Sequence, residues 1–255
     1  MRYSRHVTIA DGVILAASAA GAGVVNAVAG GGTLLTFPAL MATGVPPVQA
    51  NATNCLCVSP GQLASAFAYK THIVEERRRA LVLSVPSLLG GILGAWLLLA
   101  LPAKAFAAAV PWLIVFACVV LAFQGQLKRI VARAPKANHP AALWVAQLLI
   151  SIYGGYFGAG IGILMLAAMG ILLPSSLQHA NALKVLFSTM INAIAAVLFA
   201  VMGAVFWPQA ALMAAFNIAG GFLGARLAQR LPPAGMRGFA IAVGLFAAGK
   251  MFLSR

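Results

Sequence analysis

The sequence predicts an all-α polytopic membrane protein built as an inverted-topology tandem repeat, each half a Gly-broken helical hairpin followed by three transmembrane helices. Three observations carry this expectation. Of 255 residues, 62% are hydrophobic and only 8% charged, and the mean hydropathy of +0.98 lies far above that of soluble globular chains. Motifs recur at one constant shift of 130 residues, which carries Asn51 onto Asn181. Basic loops in one half are matched by uncharged loops in the other.

Apolar runs bounded by charge, Gly and Pro divide the chain in order. A hairpin spans 10–43, broken by Gly30, Gly31 and Gly32, with the short limb 33–43. Helices at 48–69, 80–100 and 104–127 complete a first repeat over 1–127. A basic linker at 128–139 leads to the second repeat, 140–255, with a hairpin at 140–173 and helices at 176–203, 207–228 and 236–253. The second short limb is 161–173. Each limb extends only ~15–20 Å at the helical rise, too short to cross a bilayer, so each hairpin tip is expected partway into it.

The duplication rests on three separated motifs in one register. Ala29-Gly30-x-Gly32-x-Leu34 falls on Ala159-Gly160-x-Gly162-x-Leu164, and Ala50-Asn51-Ala52 on Ala180-Asn181-Ala182. GGILGAWLLLALP (Gly90 to Pro102) falls on GGFLGARLAQRLP (Gly220 to Pro232) with 8 of 13 positions identical. Charge then sets the relative orientation. KTHIVEERRR (70–79) is basic while its mate at 200–209 carries no charge, and Arg226, Arg230 and Arg237 are matched by Trp96, Ala100 and Ala107. Equivalent loops are therefore expected on opposite sides, with 70–79, 128–139 and 226–237 cytoplasmic and both termini periplasmic; only Arg2 and Arg5 speak against that orientation. Trp96, Trp112, Trp144 and Trp207 lie near segment ends, as interfacial anchors do.

Several function classes are disfavoured. The net charge of +14 would suggest nucleic acid in a soluble chain, but the cations cluster at segment ends, so no nucleic-acid partner is expected and retention on the cytoplasmic side explains them. Cys55, Cys57 and Cys118 lie in apolar segments without disulfide or zinc spacing, and Cys55 and Cys57 point to different helix faces. No metal or other cofactor is expected. The acids Asp11, Glu75 and Glu76 stand at segment ends or in a loop, away from where a sodium site needs a carboxylate. The start MRYSRHVTIADGVILAASAAGAG has the layout of a signal peptide, yet is expected to be retained because the repeat includes its end.

At a hairpin tip glycine permits positive φ and close packing, and irregular backbone within a bilayer is tolerated where it is buried in protein or lines a wet cavity. Half-helices starting after Gly32 and Gly162 present N–H groups and a positive dipole end, and two such ends facing one another would hold an anion. Close helix packing is the plainer role for the same glycines. A polar stripe follows each hairpin: Asn51, Asn54, Gln62 and Ser65 in the first half, and Asn181, Lys184, Ser188 and Asn192 in the second. These residues either glue helices together or line a path. Lys184 is a cation well inside an apolar segment, which either faces the path or snorkels. His179 could relay a proton or sit at the interface. Thr33 begins the first half-helix and could cap it or meet a ligand, whereas its mate is Ile163.

These pieces resemble a known family. AVAGGGTLLTFPAL, the downstream ANATN, and their repeats FGAGIGILM and HANALK resemble the TauE/SafE sulfite-exporter family of bacterial membrane transporters, over essentially the whole chain. The resemblance implies a secondary active transporter, by expectation an exporter, of small sulfur-containing anions such as sulfite or organosulfonates in the cytoplasmic membrane, and not an enzyme. Residues 157–162, FGAGIG, depart from the first motif by placing Ile161 where it has its middle glycine. The expected anion site is Gly30, Gly31, Gly32 and Thr33 with Gly160 and Gly162, joined by Asn51, Asn54, Asn181 and Lys184. Gln62, Ser65, Ser188 and Asn192 are the expected path-lining residues, with His179 as the proton relay if transport is proton-coupled. An anion channel of the same fold and a membrane thiol redox protein using Cys55 and Cys57 are the competing readings.

Overall fold

A computed structural model describes residues 8–28, 31–133, 139–173, 176–227 and 233–253. Among them the regular structure is all helix, with no strand. The stretch expected as the first repeat holds α1 (Ile9–Val28), α2 (Thr33–Ala42), α3 (Pro47–Ala68), α4 (Lys70–Glu75), α5 (Arg77–Ala100) and α6 (Ala103–Ala122). Helix α7 (Gln124–Arg133) runs into the basic linker. The stretch expected as the second repeat holds α8 (Pro140–Tyr156), α9 (Ile161–Leu172), α10 (Leu177–Val201), α11 (Trp207–Leu227) and α12 (Pro233–Leu253). Helices α1, α5, α6, α10 and α12 are long and apolar enough to cross a membrane, and α2 and α9 are short apolar helices.

Local chemistry sets the helix starts. The hydroxyl of Thr8 donates to Asp11 at 2.7 Å and accepts the Asp11 N–H at 3.1 Å, a reciprocal cap on α1. Pro47 and Pro140 open α3 and α8, where their missing N–H costs nothing. Ser176 caps α10 by accepting the N–H of His179 at 3.2 Å.

Packing partners are exchanged between the repeats. Helix α1 lies along α11, and its mate α8 lies along α5; α3 also packs on α11, and its mate α10 on α5. The self-mated pairs α3–α10 and α6–α12 join the two sets. This exchange is compatible with an inverted repeat. One hydrophobic core is built from α5, α8, α9 and α10 together with Leu173 just beyond α9, and includes Leu83, Leu143, Met165, Met169, Phe187 and Ile191.

The most alike repeat motif forms the contact surface of that exchange. A Cβ on Gly94 would stand 2.0 Å from the carbonyl oxygen of Ile152, and one on Gly220 would stand 2.0 Å from that of Ala20. The backbones touch, as small residues allow at membrane helix interfaces. The glycines of GGILG and GGFLG thus seat the first helix of the opposite repeat's hairpin.

Three basic segments share one end of the bundle. Glu75 of α4 meets His179 at the start of α10 at 2.8 Å, and the His139 N–H donates to the Leu172 carbonyl at the end of α9 at 3.4 Å. Arg237 of α12 lies beside Gly125 of α7.

Candidate substrate site at the hairpin tips

Each hairpin breaks at a glycine in the left-handed region: Gly31 has φ +95° and Gly160 φ +80°. Both tips press on the same stretch of α6. A Cβ on Gly31 would stand 2.8 Å from Leu121, and one on Gly160 would stand 3.6 Å from Val120. Gly30 lies outside the described residues.

The tips are secured differently. At the first, the Gly32 N–H donates to Oδ1 of Asn26 at 2.7 Å, so α1 itself satisfies one of the N–H groups at the start of α2. At the second, the Tyr153 hydroxyl donates to the Ala159 carbonyl at 2.7 Å, and Gly162 faces the aliphatic stem of Lys184, whose Cδ would be 3.3 Å from a Cβ there.

Between the tips lies a small pocket, with about 320 Å³ of non-atom space when the open solvent at its mouth is included. Helix α3 contributes one face to it: Asn51, Asn54, Cys55, Val58 and Gln62, spaced as successive turns of a helix. Thr33 enters from the first tip, Asn192 and Phe199 from α10, and Gly154, Gly155, Phe157 and Gly158 from the second hairpin. None of these lining side chains is charged.

Hydrogen bonds orient the amides. Nδ2 of Asn51 donates to the Tyr156 carbonyl at 3.1 Å, tying α3 to the end of α8. The buried Thr36 hydroxyl donates to Oδ1 of Asn54, leaving that amide its NH2 group to offer. Nδ2 of Asn192 donates to the Ser188 carbonyl at 2.9 Å, and the Cys55 thiol points at the Asn192 carbonyl at 3.3 Å. Oε1 of Gln62 is buried with no partner among the described residues, an arrangement that costs free energy.

Of the residues expected from sequence, Thr33, Asn51, Asn54, Gln62 and Asn192 therefore meet at one pocket. The others stand elsewhere. Asn181 donates to the Tyr69 hydroxyl at 2.9 Å, and Lys184 lies at the second tip against Gly162. The Ser188 hydroxyl approaches the Met165 sulfur at 3.6 Å, and Ser65 is exposed with its hydroxyl on the Gly61 carbonyl. His179 sits at the basic end between Ser176 and Glu75, each at 2.8 Å. Cys57, two residues from the pocket-lining Cys55, turns to the Asn54 carbonyl and is absent from the lining.

Sequence reasoning passed over Asn26, Thr36, Phe157, Gly158 and Phe199. Asn26 carried a signal, a lone amide one helical turn before the glycines. The two phenylalanines carried none, being ordinary apolar residues until folding sets them at the pocket.

The sequence profile of the family described as "Sulfite exporter TauE/SafE" matches residues 15–251. A "probable membrane transporter protein" of Haemophilus influenzae is 29% identical over 210 residues, covering 81% of this chain and 80% of that protein. The "probable membrane transporter protein YfcA" of Escherichia coli K12 is 30% identical over 211 residues, covering 82% of this chain and 76% of that protein. The "probable membrane transporter protein ORF9" of a Sinorhizobium species is 28% identical over 217 residues, covering 82% and 78%.

Proposed function

The chain belongs to the sulfite exporter TauE/SafE family of membrane transporters, and on that premise we propose that it is a secondary active exporter of a small sulfur-containing anion. Sulfite or an organosulfonate is the substrate, and the bacterial cytoplasmic membrane is the location, with the basic end inside and both termini periplasmic. The observation that carries the reading is the amide- and hydroxyl-lined pocket between the two hairpin tips. Oxyanion oxygens accept hydrogen bonds, and the Asn54 NH2 group, the Thr33 hydroxyl and the N-terminal end of α2 supply donors and a favourable dipole there. Lys184, at the other tip, draws the anion from a distance without being a ligand.

The exchanged packing supports a reading by alternating access. One body is α1–α2, α3 and α11; the other is α8–α9, α10 and α5. The glycine contacts hold each body together by backbone apposition. The pocket lies on their boundary, taking Thr33 and the α3 face from the first body and the α8 end with Asn192 and Phe199 from the second. Rocking one body against the other opens it to each side in turn. Where transport is proton-coupled, we assign the relay to His179, which faces Glu75 at the basic end.

Flux of sulfite and methanesulfonate into and out of proteoliposomes tests this. Saturable uptake with counterflow is the expected result. Flux that is linear in concentration would indicate a channel, and absence of flux for every sulfur anion would overturn the substrate assignment.

A further inference from the structure

Resting on that transporter reading, we infer that the site accepts monovalent anions, such as a sulfonate or hydrogensulfite, and excludes dianions such as sulfate and fully deprotonated sulfite. The reason is the pocket's supply of charge and donors. A buried charge is tolerated when a counter-charge or enough hydrogen bonds replace its hydration, and each further unit of charge raises that demand steeply.

The lining side chains carry no cation. The amide NH2 groups of Asn51 and Asn192 are already directed at the backbone carbonyls of Tyr156 and Ser188. The Cys55 thiol is turned to Asn192. That leaves the Asn54 NH2, the Thr33 hydroxyl and the Gln62 amide as wholly uncommitted side-chain donors, with one further N–H on each of Asn51 and Asn192: a neutral set, with no counter-charge for a second negative charge. Val58, Phe157 and Phe199 complete the wall, and these suit the carbon side of a sulfonate better than the fourth oxygen of sulfate. The repeat makes the omission specific: the mate of Asn54 is Lys184, so the cation stands at the second tip and a neutral amide stands in the pocket.

Binding to the purified full chain is measured for methanesulfonate, sulfate and sulfite, below and above the second ionisation of sulfite, which falls near neutral pH. Methanesulfonate keeps one charge throughout and serves as the internal control. Its affinity is expected to stay constant while sulfite weakens as the monoanion disappears, with sulfate at least about tenfold weaker than methanesulfonate. Methanesulfonate likewise detects any pH response of the protein itself. Asn54→Lys is expected to admit sulfate.

Sulfate or dianionic sulfite binding as tightly as methanesulfonate would overturn this inference and leave the transporter reading standing. A methanesulfonate affinity that shifts in parallel with that of sulfite would overturn it too, by assigning the pH response to the protein. Failure of all three to bind at either pH would overturn both.

Discussion

The side-chain oxygen of Asn26 accepts the backbone N–H of Gly32 at 2.7 Å, so the first hairpin tip is held by the helix that leads into it. A Cβ on Gly32 would stand 2.6 Å from Nδ2 of Asn26 and 2.7 Å from the Ala22 carbonyl oxygen. Asn26→Leu strands the Gly32 N–H, at a cost of about 1–3 kcal/mol. The melting temperature should fall, and the rise in Tm on adding substrate should shrink because the start of α2 is no longer fixed. Asn26→Asp keeps the acceptor and should retain more of both.

Thr36 fixes which side of the Asn54 amide faces the pocket. Thr36→Val preserves shape and removes the donor, which frees the amide to rotate and to present oxygen to an oxyanion. Affinity should drop by about tenfold, on the order of 1.4 kcal/mol, with only a small change in Tm. Thr36→Ser should restore binding in an equilibrium titration.

The glycine contacts between the repeats make a graded test of the exchanged packing. Gly94→Ala and Gly220→Ala drive a Cβ to within 2.0 Å of a backbone carbonyl oxygen, so the helices must separate, at a cost of more than ~1–3 kcal/mol. Gly238→Ala, where nothing lies within 4 Å, should leave stability unchanged or slightly raised, as expected for removing a helical glycine. Thermal unfolding in detergent reads the contrast.

Gln62 couples stability to binding. Its Oε1 is buried and unpartnered among the described residues, so Gln62→Leu should raise Tm while lowering substrate affinity, since it removes both an unmet demand and a pocket amide. A fall in both quantities would place Gln62 in the scaffold alone.

Much of this architecture is legible in sequence because membrane helices announce themselves locally. The short limbs expected at 33–43 and 161–173 correspond to α2, Thr33–Ala42, and α9, Ile161–Leu172. The stripe Asn51, Asn54 and Gln62 reaches the pocket as one helical face. The stripe of the second half diverges: Asn192 joins the pocket, while Asn181 bonds Tyr69 and Lys184 lies against Gly162. Periodicity marks a polar face without saying which part of it meets a neighbouring helix.

The exchange of hairpins is equally hidden in the sequence, although its cause is visible there. GGILG and GGFLG are highly alike segments, yet a glycine pattern does not name its partner. Gly220 touches Ala20 across 200 residues of chain. Such a contact follows from the whole bundle and leaves no local mark.

The central claim, that the pocket between the tips is where substrate binds, is tested most directly at Cys55, which lines it. In a chain carrying Cys57→Ala and Cys118→Ala, the rate of maleimide labelling of Cys55 is measured with and without saturating methanesulfonate or sulfite. The account predicts slowing by substrate, about tenfold when the site is roughly nine-tenths occupied. A labelling rate unchanged at concentrations that saturate binding would place the substrate elsewhere and contradict the account.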